Sequence, residues 1–126
     1  MEVCESEEVL MNCIKKKKKR YKRGQYVRFK IINLIDKKVT EYKIKLKGTH
    51  ANPLREFLTS IFGEFEFIDC QEWFRKDVGH PDYLLKMKLY NLYVEYKSPT
   101  DAINTSQIEW IFNNLDKKTI IVHQLD

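Results

Sequence analysis

Residues 79–97 read GHPDYLLKMKLYNLYVEYK, and their pattern predicts the central part of the fold. Its two apolar and aromatic runs, 82–87 and 90–95, flank Lys88-Leu89 and predict a β-hairpin that turns there. In that register, Asp82 lies directly opposite Glu95. A turn centred two residues later would separate the two carboxylates, and the sequence leaves both registers open.

A close pair of carboxylates favours a metal site. Directly opposed residues have Cβ atoms about 4.5–5.5 Å apart, so Asp82 and Glu95 would repel each other without a cation between them. A hard divalent ion binds one or two carboxylates together with waters and substrate phosphate. Lys97 shares the face of Glu95, because it is two residues further along the strand. The alternative is a surface hairpin with an ordinary Glu–Lys pair.

The flanking segments predict the order α-β-β-β-α-β from residue 52 onward. Asn52-Pro53 predicts a helix start, with Asn52 as N-cap and Pro53 at the first helical position, and Gly63 predicts the helix end. The apolar stripe of this helix is Leu54, Phe57, Leu58, Ile61 and Phe62. Beside the central hairpin we expect strands over 65–74 and 119–123 and a helix over 105–115. That helix should bury Ile108, Ile111, Phe112 and Leu115.

The central motif resembles a known nuclease signature. Pro81-Asp82, followed after twelve residues by Glu95-Tyr96-Lys97, is similar to the PD-(D/E)xK pattern. The wider string, GHPD and then VEYKSPTDAINTSQIEW up to Trp110, resembles the VRR-NUC branch of that superfamily, which is related to archaeal Holliday-junction resolvases. The resemblance covers about residues 52–123. It implies an α/β, restriction-endonuclease-like core, with a mixed sheet flanked by helices.

The resemblance also implies a reaction, the metal-dependent hydrolysis of phosphodiester bonds in DNA. Asp82 and Glu95 would bind Mg²⁺ or Mn²⁺ together with the backbone carbonyl of Tyr96. Lys97 would position or activate the attacking water and stabilise charge on the scissile phosphate. Because relatives that cut branched DNA symmetrically are often dimers, structure-specific cleavage and a homodimer are further expectations.

Two more residues match the family by position. Gln107 of Gln-x-x-Trp would lie beside the active site, although Asn104-x-x-Gln107 also fits a capping box. Glu56 matches a glutamate that the family carries on its first helix. On the helical wheel, however, Glu56 lies about 190° from the centre of the apolar stripe, which equally suits a solvated side chain.

The charge distribution divides the chain at residue 47. Residues 1–47 have a net charge of +9 and residues 48–126 of −4. Over residues 25–47, polar and mostly basic residues alternate with apolar ones on both sides of Asp36-Lys37-Lys38. This alternation predicts a β-hairpin with one basic face. We therefore expect a basic N-terminal extension over 1–47 and a nuclease core over 48–126. A run of eight cations is expected to contact nucleic acid: Lys15, Lys16, Lys17, Lys18, Lys19, Arg20, Lys22 and Arg23.

Several classes of protein and site are disfavoured. The chain has no apolar run long enough to span a membrane and no secretory leader, so we expect an intracellular protein, nuclear if the basic run is an import signal. Three cysteines without paired spacing argue against a disulfide framework. His50 and His123 are isolated in sequence and predict no metal site. The rival to a nuclease is a nucleic-acid-binding protein that keeps the fold without catalysis.

Overall fold

Six β-strands form one mixed sheet: β1 (Tyr26–Asn33), β2 (Lys38–Lys45), β3 (Glu66–Asp69), β4 (Tyr83–Lys86), β5 (Asn91–Lys97) and β6 (Thr119–Gln124). A computed structural model describes residues 20–73 and 78–126. The strand order is β2-β1-β6-β5-β4-β3, with β5 and β6 parallel and the other neighbours antiparallel. The helices are α1 (Leu54–Phe62), the short α2 (Cys70–Trp73) and α3 (Thr105–Asn113). The expected α/β class with a mixed sheet is confirmed.

One face of the sheet, the core face, packs against α1. Alternation along β1 directs Val27 and Phe29 to this face, where both side chains are fully buried. The Phe29 ring stacks on Phe57 of α1 with ring centroids 4.1 Å apart. Burial of each such side chain contributes about 1.5–3 kcal/mol, so the hairpin and α1 stabilise each other.

The opposite face, called the site face below, is partly covered by α3. The expected stripe of this helix is wrong in part, because α3 buries Trp110 and Ile111 against Ile121 of β6. Trp110 brings the largest apolar surface of the helix to the sheet. With about 100° between successive residues, burying these two turns the rest of the expected stripe towards solvent. Its exposed members are Ile108, Phe112 and Leu115.

Two element boundaries differ from expectation. The strand expected over 65–74 ends at Asp69, because the Asp69 carboxylate accepts a hydrogen bond from the Gln71 N–H (3.0 Å) and the chain turns into α2. The first helix starts at Leu54, one residue later than predicted. The N-cap is therefore Pro53 and not Asn52 as predicted, although Asn52 Oδ1 accepts the Leu54 N–H at 2.9 Å.

The basic hairpin β1–β2 belongs to the same sheet as the rest of the chain. Residues Phe29–Ile32 of β1 pair with β6 through Gln124–Ile121, and the β1 side chains enter the core that contains Phe57. Residues on both sides of the expected boundary at 47 therefore share one sheet and one core. The expected nucleic-acid contacts Lys15–Lys19 lie outside the described residues. In the described ranges, no helix is long and apolar enough to cross a membrane.

Candidate metal and phosphate site

The register of the central hairpin agrees with the sequence. Tyr83 pairs with Val94 and Lys86 with Asn91, which leaves Lys88-Leu89 at the turn. One step beyond the last paired residues, the same register sets Asp82 opposite Glu95. The hairpin that the sequence left open between two registers therefore has the one that brings the two carboxylates together.

Asp82 is held by three hydrogen bonds at the start of β4. Its Oδ2 accepts the backbone N–H of Tyr96 (3.0 Å), and its Oδ1 accepts the side-chain amide of Gln71 (3.2 Å). Its backbone carbonyl accepts the Cys70 N–H at 2.8 Å. Each carboxylate oxygen has two acceptor sites, so these bonds orient Asp82 and still leave capacity for a cation.

Glu95 lies on the site face and is only 2% exposed. Among the described side chains, its Oε2 is a buried atom without a hydrogen-bond partner. Burial first, and then the contact with Asp82, raise the pKa of Glu95 from 4.5 to about 9, while the Lys97 ammonium opposes the shift. Metal-free Glu95 therefore keeps its proton at neutral pH. A divalent cation between the carboxylates would stabilise the charged form of Glu95 and so lower this pKa.

Lys97 lies two residues beyond Glu95 on the same face and is 6% exposed. A lysine is rarely so buried unless it is paired. Its ammonium acts electrostatically on two carboxylates, Glu95 and Asp101. Asp101 lies in the loop after β5, where its carboxylate accepts the Ser98 N–H at 3.2 Å. The pKa of Asp101 is lowered by the Ser98 side chain first, by this backbone hydrogen bond second, and by Lys97 less than by either.

The Tyr96 carbonyl, the expected third metal ligand, can be placed from the backbone geometry. The N–H and C=O of a strand residue point to the same neighbouring strand, as they do in each doubly bonded antiparallel pair. Because the Tyr96 N–H donates to Asp82, its carbonyl also points to the β4 side. The Tyr96 carbonyl thus points to the side of β5 on which Asp82 lies, one residue after Glu95.

Gly79 fixes the loop that carries Asp82 against α3. Its φ is +79°, and a Cβ at this position would lie 2.1 Å from the backbone oxygen of Ser106. No side chain fits between the two backbones. The glycine therefore explains how the loop before β4 and the start of α3 meet.

Gln107 forms the capping box that the sequence allowed. Asn104 Oδ1 accepts the Gln107 N–H (3.0 Å), and Gln107 Oε1 accepts the Asn104 N–H (3.2 Å). The start of α3 lies against Gly79, two peptide bonds before Pro81-Asp82. The local capping role is confirmed, and a role in the active site stays a prediction.

Glu56 contacts a different part of the protein. Its carboxylate accepts the backbone N–H of Lys47 and forms an ion pair with the His50 ring. Both oxygens are thus engaged with the loop between β2 and α1, on the side of the sheet that α1 covers. The structure joins Glu56 to His50 and not to the carboxylate pair, because its helix packs on the core face whereas Glu95 is on the site face.

His123 is a site-face residue that the sequence analysis missed. It pairs with Lys97 across the parallel strands β5 and β6, so the two side chains are neighbours. Its Nε2 is buried and, in the described parts of the chain, has no hydrogen-bond partner. The crossover β5-α3-β6 could have predicted that β6 lies beside β5, but the register that joins His123 to Lys97 has no signal in the sequence.

The site face continues onto the basic hairpin. Its β1 and β2 positions carry Arg28, Lys30, Lys43 and Lys45, together with Glu41 and Tyr26. Arg28 is partly neutralised, because its guanidinium pairs with the Asp126 carboxylate at 2.8 Å. The three described members of the basic run, Arg20, Lys22 and Arg23, are exposed. An exposed cationic surface thus lies on the same face of the sheet as the carboxylate pair.

Comparisons with known proteins provide no information about this site. No protein-family model, no curated protein and no solved structure matches the chain. Within residues 20–73 and 78–126, no three His, Cys, Asp or Glu side chains lie close enough to bind one ion.

Proposed function

We propose that this protein is a Mg²⁺- or Mn²⁺-dependent nuclease that hydrolyses phosphodiester bonds in DNA. One observation carries the proposal: Asp82 lies opposite Glu95, and the buried Lys97 lies on the same face as Glu95. Two carboxylates and an ammonium are the groups that this hydrolysis requires. The resemblance of Pro81-Asp82 and Glu95-Tyr96-Lys97 to the nuclease signature supports the same assignment.

The residues present fit a divalent cation. Asp82, Glu95 and the Tyr96 carbonyl would hold it, and the buried Glu95 Oε2 without a partner is the atom that most needs one. When bound, such an ion acts as a Lewis acid and lowers the pKa of a water ligand. A hard cation with few protein ligands, which keeps several waters, matches the coordination of Mg²⁺.

Lys97 supplies positive charge that its surroundings fix in place. Its burial makes the interaction stronger than it would be in water, because the local dielectric is lower. An ammonium held here would orient a water and neutralise charge that develops on a phosphate oxygen. Gln71 and the Tyr96 N–H hold Asp82 in position, so the carboxylate needs no rearrangement to accept the cation.

DNA is proposed as the substrate because of the charge on the site face. Lys30, Lys43 and Lys45 lie on this face of the hairpin, and polyanions bind such surfaces with the release of counterions. The same surface favours a second candidate function, nucleic-acid binding without catalysis. The two candidates differ in what Lys97 does, because a binding protein does not depend on a buried ammonium beside two carboxylates.

Cleavage assays separate the two candidates. Plasmid, single-stranded and four-way-junction DNA would be incubated with Mg²⁺, Mn²⁺ or EDTA, and single-turnover rates measured at saturating protein. Lys97→Met should cut at least a hundredfold more slowly even when the DNA is saturated with protein, since the loss of such an electrostatic contact costs roughly 10²–10³ in rate. Lys117→Met, at an exposed lysine, is the control. Equal rates for Lys97→Met and wild type would refute the mechanism, and binding without cutting in wild type would favour the second candidate.

A further inference from the structure

Two buried polar atoms lie on either side of Lys97 without hydrogen-bond partners. Within the described residues, these atoms are Glu95 Oε2 and His123 Nε2. Glu95 precedes Lys97 by two residues on β5, and His123 is the neighbour of Lys97 on β6. Each buried polar group without a partner costs about 1–3 kcal/mol. The proposed cation would satisfy the Glu95 oxygen, so His123 Nε2 is the atom beside Lys97 that a hydrogen-bonding ligand would complete.

The register extends this arrangement by one more strand. Lys30 of β1 pairs with His123 of β6, so Lys30, His123 and Lys97 form a row across three adjacent strands on the site face. Neighbouring strands are about 4.8 Å apart, which keeps successive members of the row within reach of one polyanion. The outer end of the row is Glu41 of β2, and the inner end adjoins the carboxylate pair.

His123 does not complete the metal site itself. If its ring lay within reach of the ion that Asp82 and Glu95 would hold, these three side chains would form a cluster of metal-binding groups. The part of the chain that the structure describes contains no such cluster. An imidazole N–H can instead donate to a phosphate oxygen.

We propose that Lys30, His123 and Lys97 form a phosphate-binding subsite next to the carboxylate pair, with His123 donating a hydrogen bond to a phosphate oxygen of a nucleic-acid strand. The row supplies two ammonium groups and one N–H donor, and all three match a phosphodiester. The subsite rests on the proposed function in one respect, namely that the ligand is a nucleic-acid strand. It adds His123 of β6 as a residue that would bind a phosphate of the nucleic-acid backbone next to the proposed metal site.

Proton NMR tests the subsite without any cleavage. The chain has three histidines, His50, His80 and His123, so their ring signals can be assigned by single substitutions. A short oligothymidylate in EDTA should shift the His123 signal, and its uncharged methylphosphonate analogue should not. His50, which pairs with Glu56 on the other side of the sheet, is the internal control. No shift at His123, or an equal shift at His50, would overturn the proposal.

Substitutions separate binding from folding. His123→Phe removes the donor but keeps the ring, and because His123 Nε2 has no partner to lose among the described residues, stability should not fall. Binding of the oligothymidylate should weaken about tenfold, as expected for one hydrogen bond to a charged group. Lys30→Gln should also weaken it, whereas Lys38→Gln at the end of the hairpin should not. Wild-type affinity of both His123→Phe and Lys30→Gln would overturn the subsite.

The two proposals fail in different ways. If the oligothymidylate shifts the His123 signal in a protein that cuts no DNA with Mg²⁺ or Mn²⁺, the subsite is supported and the nuclease proposal is refuted. If cleavage depends on Lys97 but the affinity for the oligothymidylate is unchanged in His123→Phe and Lys30→Gln, the nuclease proposal is supported and the subsite is refuted.

Discussion

At the scale of single residues, the carboxylate pair stores an electrostatic conflict that a cation would resolve. Glu95 is buried beside Asp82, and this raises its pKa from 4.5 to about 9. The folded protein therefore holds a proton that the unfolded chain releases at lower pH. This linkage gives the pair a measurable effect on stability, independent of any reaction.

The metal-free protein should lose stability as pH rises. The stabilisation from protonated Glu95 is complete below pH 4.5 and is lost progressively towards pH 9, because the native state binds more protons than the unfolded state in that window. Urea unfolding in EDTA from about pH 5 to 9 would measure the slope. Glu95→Gln should flatten the pH dependence of stability and abolish DNA cleavage. Glu109→Gln, at an exposed residue, should leave both the pH dependence and the cleavage unchanged. An unchanged slope in Glu95→Gln would show that protonation of Glu95 does not cause the pH dependence of stability.

Gly79 should be less tolerant of a side chain than Gly63. Both have positive φ, so alanine at either site costs about 1–3 kcal/mol of backbone strain. Only at Gly79 would the Cβ also collide with backbone, the Ser106 oxygen at 2.1 Å, whereas nothing lies within 4 Å at Gly63. Thermal melts should show a larger loss for Gly79→Ala, together with weaker cleavage because the Asp82 loop moves. Equal losses for the two variants would mean that this packing does not position the loop.

At the scale of elements, the sequence predicted what depends on local pattern. The capping box at Asn104 was one of the two roles that the spacing allowed for Gln107, because capping is a local property, and the turn at Lys88-Leu89 was one of two registers that the alternation allowed. The contact of His123 with Lys97 and the partner of Glu56 did not follow. Both depend on how distant strands and helices pack, and a helical wheel shows only that Glu56 is off the apolar stripe.

The capping box of α3 provides a prediction at this scale. Asn104→Ala should lower the free energy of unfolding by about 1 kcal/mol, since it leaves the Gln107 N–H without its acceptor. Gln107→Glu keeps an acceptor for the Asn104 N–H and should preserve most of this stability. If Gln107→Glu nevertheless cuts DNA more slowly than wild type at equal stability, Gln107 acts in the site as well as in the cap. Unfolding in urea and single-turnover cleavage would be measured on the same preparations.

At the scale of the whole molecule, the boundary at residue 47 separates charge but not packing. The β1 strand lies between β2 and β6, and its Phe29 stacks on Phe57 from the second part. Residues 48–126 alone should therefore show no cooperative thermal transition by circular dichroism. Their β6 strand would be left as an unpaired edge, and the core would lose Val27 and Phe29. A cooperative melt close to that of the full chain would instead establish residues 48–126 as a separate domain.

The basic run allows affinity to be separated from folding, because the chain is anchored just after Lys19. Tyr21 exchanges backbone hydrogen bonds with His50, and its hydroxyl donates to the Asp126 carbonyl at 3.0 Å. Deletion of residues 1–19 keeps these contacts, and a melting temperature equal to that of the full chain would show that the deletion affects binding alone. Removal of five lysines should still reduce the dependence of duplex-DNA affinity on salt.

The expected change follows from counterion release. Each phosphate contact that is lost should lower the slope of log affinity against log salt by about 0.9 in duplex DNA. Replacing Lys15–Lys19 with glutamine keeps the chain length and should lower the slope as much as the deletion does, because the effect depends on charge. The slope that remains belongs to Arg20, Lys22 and Arg23 and to the site face, and Lys30→Gln should lower it further. Equal slopes for wild type and the glutamine variant would show that Lys15–Lys19 do not contact DNA, and the remaining cations would then account for all of the binding.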